Sequence, residues 1–225
     1  QEGVPSANIF VPRSKEYDLR KEIDAQRLFA QHPADIVIHL ATISGGLQYM
    51  KQQPAAIYKD NLAMNINVAE AARRAGIQKF VGIGTGVSYP AHAPVPYKET
   101  DFLNGHPDES NAPYGLASRS LLSYLQYARK QHSFNGIYII LPNLYGPHDH
   151  LDPKVAHAIP SLIVRYDDAL QQKLPIVEAW GTGNATREFL YVEDAARGIL
   201  LALKNYNSPE PLNMGSGSEL SMREL

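Results

Sequence analysis

The sequence contains no cysteine, which removes disulfides, thiolate metal sites and cysteine nucleophiles together. It has no basic run, and its net charge of -2 gives no global electrostatic reason to expect nucleic acid or an anionic membrane as partner. No apolar run approaches the roughly 20 residues of a membrane-spanning helix. The N-terminus opens on Gln1 rather than methionine and has no signal-like apolar segment. A cytoplasmic location is the expectation. What remains is the composition of an ordinary globule, 44% apolar and 20% charged over 225 residues. That suffices for one domain, or one domain with a small appendage.

Residues 35–41, D-I-V-I-H-L-A, form a short continuous apolar run, the pattern of a strand covered on both faces in a parallel sheet. Helical spacing follows, with Leu62, Ile66 and Ala69 on one stripe and Gly76 as a C-terminal cap before the β-rich K-F-V-G-I-G. The order recurs. From Tyr114 to His132, Ala117, Leu121, Leu125 and Ala128 share a stripe, and G-I-Y-I-I-L at 136–141 reads as a buried strand. Alternation of this kind implies right-handed crossovers and a parallel sheet with helices on both faces.

The segment 144–186 breaks the rhythm, with one predicted helix entered at Pro160 between Pro- and Gly-rich loops. It reads as an inserted substrate lobe. Residues 194–203 return to helix with Ala196, Ile199, Leu200 and Leu203 facing inward, P-L-N-M-G-S is a short strand or loop, and Ser221 with Glu224 has the form of a capping box.

A dinucleotide site in this architecture needs a glycine-rich loop between a first strand and a first helix, where bare backbone approaches the pyrophosphate. The nearest match, Gly82-Ile-Gly84-Thr-Gly86, lacks the third glycine at the required spacing. Residues 6–12, S-A-N-I-F-V-P, read instead as the second strand of such a fold. On that reading the first strand, glycine loop and first helix, roughly 30 residues, lie upstream of Gln1, and the last helix signal is cut short after Glu224.

The ordered motifs H-L-A-T (39–42), D-N (60–61), G-T-G-V-S-Y-P (84–90), A-P-Y-G-L-A-S (112–118), P-N-L-Y-G-P-H-D (142–149) and R-E-F-L-Y-V-E-D (187–194) run through nearly the whole chain. With A-H-A-I-P (156–160) and W-G-T-G-N-A-T-R-E-F-L (180–190), this series resembles the extended short-chain dehydrogenase/reductases that act on nucleotide sugars, the NAD-dependent epimerase/dehydratase family. Within that family it is most similar to the GDP-L-fucose synthases. The resemblance implies an α/β fold, a Rossmann-type doubly wound parallel sheet lacking its first strand and glycine loop. Residues 1–143 would form the dinucleotide-binding domain, and 144–225 mainly a substrate-binding lobe with 187–212 returning to the first domain.

The resemblance also implies roles. Thr85 matches the Ser/Thr whose hydroxyl binds the reacting oxygen, and Tyr114 the tyrosine that is its general acid or base. Ser118 stands where the family carries a lysine. The loss is chemical as well as formal, because free tyrosine has a pKa near 10, so about one in a thousand is ionised at pH 7. A cation one helical turn away lowers that pKa, whereas a serine supplies no charge. Arg119 is adjacent, but successive helical residues point about a hundred degrees apart. Tyr17 and Lys21 make the only literal Y-x-x-x-K, with no partner hydroxyl strand before them.

In the GDP-L-fucose synthases a cysteine two residues beyond the Ser/Thr and a histidine exchange protons on the sugar; these positions are Val87 and His157 here. Asn143, Trp180 and Arg187 match residues that hold the nucleotide part of the donor, arginine suiting a diphosphate by its planar fork. Arg13, Ser14 and Lys15 follow the presumed second strand, where cations favour NADP(H) over NAD. Asp18 and Leu19 would lie by the adenine, and Leu40, Ala41 and Asn61 would line the cofactor groove. His148, Asp149 and His150 read as a loop motif, so no metal is expected.

The expected activity is NADPH-dependent reduction of a 4-keto-6-deoxy sugar nucleotide, GDP-linked, by a homodimer. Two alternatives stay open: another nucleotide-sugar dehydratase, 4-epimerase or reductase of the same class, favoured by Val87, and a catalytically impaired sugar-nucleotide-binding homologue, favoured by Ser118.

Overall fold

In the computed structural model, which describes residues 4–45, 47–152, 156–177 and 181–225, helices are interleaved with the strands of the main sheet. They are α1 (Glu22–Gln31), β1 (Ile36–His39), α2 (Leu47–Gln52), α3 (Pro54–Arg74), β2 (Lys79–Thr85), α4 (Ala112–His132) and β3 (Gly136–Leu141). Then come β4 (Asn143–Tyr145), α5 (Ala158–Gln171), β5 (Thr186–Tyr191), α6 (Val192–Asn205), β6 (Pro211–Asn213) and β7 (Glu219–Ser221). The main sheet has the order β1-β2-β3-β6, all parallel, with Phe80 opposite Gly136 and Tyr138 opposite Pro211. A smaller sheet pairs β4 parallel and β7 antiparallel to β5.

Successive side chains of a strand face opposite ways, and β3 divides its residues between two cores. Tyr138 and Ile140 join Phe80, Leu121, Leu122 and Leu125 under α3 and α4, whereas Ile137, Ile139 and Leu141 join Val81, Ala195, Ile199 and Ala202 under α6. Each fully buried large side chain contributes about 1.5–3 kcal/mol. That explains why the run 136–141 is apolar without alternation. Lys79, 8% exposed, starts β2 and donates to the carbonyls of Leu203 and Tyr206 and to Asn207 Oδ1. It thereby satisfies carbonyls that the end of α6 leaves without helical partners.

Several expectations change. Residues 6–12 are not a strand: Ser6–Asn8 is a single 3-10 turn whose bonds run from Asn8 N to Pro5 O and from Ile9 N to Ser6 O. Those amides are used locally, Pro12 has none, and Phe10 stacks on His32 at the end of α1 with ring centroids 3.5 Å apart. β1 is covered on one face only. Val37 and His39 turn toward α3, while Ile36 and Ile38 remain 46% and 37% exposed, because among the described residues β1 has a strand partner on one side and no helix over that face.

The buried stripe of α3 is Asn61, Met64, Asn65, Val68, Ala69 and Ala72 rather than the Leu62 and Ile66 line, since two asparagines are drawn inward by polar partners. In α6 the inward residue is Ala195, not Ala196, beside Ile199 and Ala202. Of residues 187–212, α6 and β6 pack with the main sheet and β5 belongs to the smaller one. The capping box forms: Glu224 accepts from Ser221 N at 2.9 Å, and Ser221 Oγ accepts from Glu224 N at 3.2 Å.

Candidate active site

Parallel strands bring their C-terminal ends to one edge, and open α/β sheets bind ligands there. At that edge the chain leaves β1 through Leu40, Ala41 and Thr42, β2 through Thr85 into a 3-10 turn at Gly86–Ser88, and β3 into Asn143. Helix α4 closes onto the same edge. A Cβ on Gly115 would lie 3.1 Å from Val87 O and 3.2 Å from Ser88 Cα, so the bare glycine lets the first turn of α4 seat directly on the turn after Thr85. Tyr114, Thr85 and Val87 are thus carried on backbones in contact.

Tyr114 is half-buried in the first turn of α4, and its Oη lies 3.4 Å from Thr42 Oγ1. Burial pushes its phenol above the ordinary tyrosine value, and the Thr42 hydroxyl offsets part of the effect. A helix N-terminus favours the phenolate by about 0.3–1 kcal/mol, less than the 1.36 kcal/mol of one pK unit. The phenol therefore stays protonated at neutral pH.

Ser118, one turn on, is 6% exposed and faces the core rather than the cleft. The Tyr138 hydroxyl donates to Ser118 O at 3.0 Å, which leaves the 2.7 Å contact between Ser118 Oγ and Tyr138 Oη to be donated by serine. Gly84 makes the room, for a Cβ there would fall 2.3 Å from Tyr138 Oη. Arg119 turns the other way. Its guanidinium donates to Ser88 O at 2.7 Å and Gly105 O at 2.6 Å and lies over the Phe102 ring, so it ties the loop 88–105 to α4.

Asn61, expected to line the cofactor groove, is 3% exposed and engages both ends of its amide inside the chain. Oδ1 accepts from Ile43 N at 2.8 Å and Thr42 Oγ1 at 2.9 Å, and Nδ2 donates to Ile43 O and Ile57 O, both at 2.8 Å. It acts on the groove by holding the loop that carries Leu40 and Ala41. Asn65, one turn later, accepts from His39 Nε2 and donates to Ala117 O, both at 3.0 Å, joining β1, α3 and α4. Burial lowers the His39 pKa and keeps the ring neutral.

Arg13, Ser14 and Lys15 lie exposed at a turn, and among the described residues neither cation's side chain has a hydrogen-bond or ion-pair partner. Asp18 is bound by Arg20 at 2.7 Å, which also reaches Asp60 at 3.4 Å, and Leu19 O accepts from Asn67, so this turn is fastened to α3 beside Asn61. Gly82 and Gly84 do not form a phosphate loop. They lie inside β2, where Cβ atoms would meet Leu121 at 2.9 Å and Tyr138 at 2.3 Å. A pyrophosphate cradle is not found among the described residues.

In the lobe, Asn143 Nδ2 donates to Glu188 O at 3.1 Å, next to Arg187, whose exposed guanidinium donates to Thr186 O. His157 is exposed at the start of α5, its Nδ1 3.4 Å from Asp149 Oδ1. Val87 is 37% exposed in its turn. Trp180 lies outside the described residues. Among the described residues no hydrogen bond joins these lobe residues to Tyr114. The sequence reasoning did not assign Thr42 or Tyr138 to the site. H-L-A-T contained the first as a strand-end hydroxyl, and the only signal for the second was an aromatic hydroxyl in an otherwise aliphatic buried run.

The sequence profile of the NAD dependent epimerase/dehydratase family matches residues 2–215. A protein of Oryza sativa subsp. japonica named "Probable GDP-L-fucose synthase 1" is 34% identical over 219 residues, 97% of this chain and 67% of that protein. The GDP-L-fucose synthase of Sinorhizobium fredii is 33% identical over 217 residues, 96% of this chain and 69% of that protein. A crystal structure of a GDP-L-fucose synthetase from Naegleria fowleri bound to NADP superposes with a TM-score of 0.86 at 30% identity, covering 93% of this chain and 68% of that one.

Proposed function

The chain belongs to the NAD dependent epimerase/dehydratase family, and we propose that it is an NADP(H)-dependent GDP-sugar epimerase/reductase that reduces a 4-keto-6-deoxy sugar. The observation that carries this is Tyr114, a protonated phenol at the ligand-binding edge of a parallel sheet, on a helix turn seated against the turn that follows Thr85. Relatives named GDP-L-fucose synthase that align over nearly the whole chain support the GDP-linked substrate.

When bound, reduced nicotinamide supplies a hydride. The chain's residues supply the rest: Thr85 holds the carbonyl oxygen, and Tyr114 protonates it as charge develops. The loop of Leu40 and Ala41, fixed by Asn61, offers backbone to the cofactor, and the exposed cations Arg13 and Lys15 with Ser14 suit the 2′-phosphate of NADP. Asp18 and Leu19 border the adenine. Asn143, Trp180 and Arg187 hold the nucleotide part of the donor, the planar fork of Arg187 suiting its diphosphate. His157 is the proton-exchange group left for the sugar, since Val87 has no acid-base chemistry, and this weakens epimerisation relative to reduction. A cytoplasmic homodimer is part of the same reading. Among the described residues no helix is long and apolar enough to cross a membrane.

The test is NADPH oxidation with GDP-4-keto-6-deoxymannose, with Tyr114→Phe expected to lower turnover about 10²- to 10⁴-fold. Ser118 favours a second reading, a sugar-nucleotide-binding homologue without turnover. Calorimetric binding of GDP-sugar with no binding of NADP(H) would establish that reading and remove the first.

A further inference from the structure

The serine in place of lysine is half of a paired arrangement. Tyr138 rises from the middle of β3, passes over Gly84, where a Cβ would stand 2.3 Å from its oxygen, and ends against Ser118. Tyr138 is 1% exposed and Ser118 6%, so no water competes for the contact. Both protons of the pair are spent internally, tyrosine to Ser118 O and serine to Tyr138 Oη. Neither hydroxyl has a donor left for the cleft. A lysine at 118 would have to drive its chain into the volume the phenol holds.

Three polar side chains lie on the elements around Tyr114. From β3 there is Tyr138, neutral and held so by full burial. On its own helix Arg119 turns away, with Nε and Nη1 on Ser88 O and Gly105 O and Nη2 buried without a hydrogen-bond partner among the described residues. From the loop after β1 there is Thr42, a hydroxyl. Among the described residues the Tyr114 hydroxyl has Thr42 as its hydrogen-bond partner and no cation is bonded to it.

Resting on the reading of Tyr114 as the active-site acid, we infer that Tyr138 is a positioning residue occupying the place of the family's cation, and that the Gly84–Ser118–Tyr138 set leaves Tyr114 a proton donor only, suited to reduce a carbonyl and not to oxidise an alcohol. In reduction the carbonyl carbon gains a hydride with its electron pair from the nicotinamide, which is oxidised. The C=O π pair becomes an O–H bond with the Tyr114 proton, and water returns a proton to Tyr114. The reverse needs Tyr114 already ionised, so its rate rises about tenfold per pH unit through neutrality with no plateau below about pH 10. The same set makes Tyr138 a specificity device: it disfavours dehydratase and 4-epimerase chemistry, which begin by oxidising a hydroxyl.

The test is a ¹³C NMR titration of tyrosine Cζ, with Tyr114 assigned by Tyr114→Phe, run beside thermal melts and pH–rate profiles. In the wild type Tyr114 stays protonated to at least about pH 10. Ser118→Lys alone lowers the melting temperature and leaves that titration in place. Ser118→Lys with Tyr138→Ser, which vacates the phenol's volume, brings the titration down by about one unit, a tenfold gain in phenolate at neutral pH. A Ser118→Lys protein that melts like the wild type and titrates lower would overturn the inference, as would a neutral-pH plateau in wild-type alcohol oxidation or an unmoved titration in the double variant. The titration needs no substrate. Absent turnover with the expected titrations refutes the reductase reading alone, whereas turnover with an unmoved titration in the double variant refutes the role of Tyr138.

Discussion

Replacing Asn61 by alanine tests whether a buried amide in α3 governs the site from beneath. The substitution removes four hydrogen bonds of 2.8–2.9 Å, two of them to the main chain of Ile43. Thr42 is exposed and Ile43 half-buried, so water replaces part of what is lost. Counting about 1 kcal/mol for each of the two bonds to Ile43 and a similar amount for the small cavity gives a loss of about 3 kcal/mol. In a domain of this size that lowers the melting temperature by roughly 6–12 °C. The loop then no longer fixes Thr42 near Tyr114, and kcat/KM falls about 10- to 100-fold at temperatures where the protein is fully folded. Asn65→Ala is the control. It breaks the bonds to His39 and Ala117 O at comparable cost, yet leaves the 42–43 loop intact. Melting curves and steady-state kinetics on the two variants decide the matter. Equal losses of kcat/KM would show that Asn61 contributes only stability, and the reasoning would be wrong.

Three further outcomes follow from the geometry. Gly84→Ala, whose new methyl would meet Tyr138 at 2.3–2.5 Å, destabilises by at least about 1–3 kcal/mol, and Tyr138→Val recovers most of it in a urea double-mutant cycle. His39 is buried with its pKa lowered, so the unfolded chain binds the proton first. Stability from this group is full above about pH 6.5 and falls by up to about 1.4 kcal/mol per pH unit as pH drops toward the folded value. Urea midpoints from pH 8 to 5 should show that slope, reduced in His39→Gln. Arg13→Ala with Lys15→Ala should weaken NADP binding about tenfold or more and leave NAD unchanged, as read by calorimetry; an equal loss for both cofactors would place these cations away from the 2′-phosphate.

The main sheet was legible because strands buried on both sides must be apolar throughout, as in 136–141, and helices between them must repeat at 3.6 residues, as Ala117, Leu121, Leu125 and Ala128 do. The family was legible because motif order survives where overall identity is only 34%. Residues 6–12 misled because a β-rich composition says nothing of whether a ladder partner is available, and Phe10 found a stacking partner in His32 instead. In α3 and α6 Ala69 and Ile199 are buried as the spacing implied, but Asn61, Asn65 and Ala195 replace Leu62, Ile66 and Ala196 on the inward face. Neighbouring residues lie about a hundred degrees apart, and periodicity alone does not choose between them when small residues stand on both sides.

By itself the sequence determined that a tyrosine stands at the head of a helix with a serine, not a lysine, one turn on, for that is a matter of residue identity and spacing. What surrounds that serine was decided in three dimensions. Only packing sends Tyr138 past Gly84 to close on Ser118, turns Arg119 to the carbonyls of Ser88 and Gly105, and spends the Asn61 amide on the loop that carries Thr42. Each depends on which groups from distant parts of the chain share one buried volume, and volume, unlike spacing, belongs to the folded molecule.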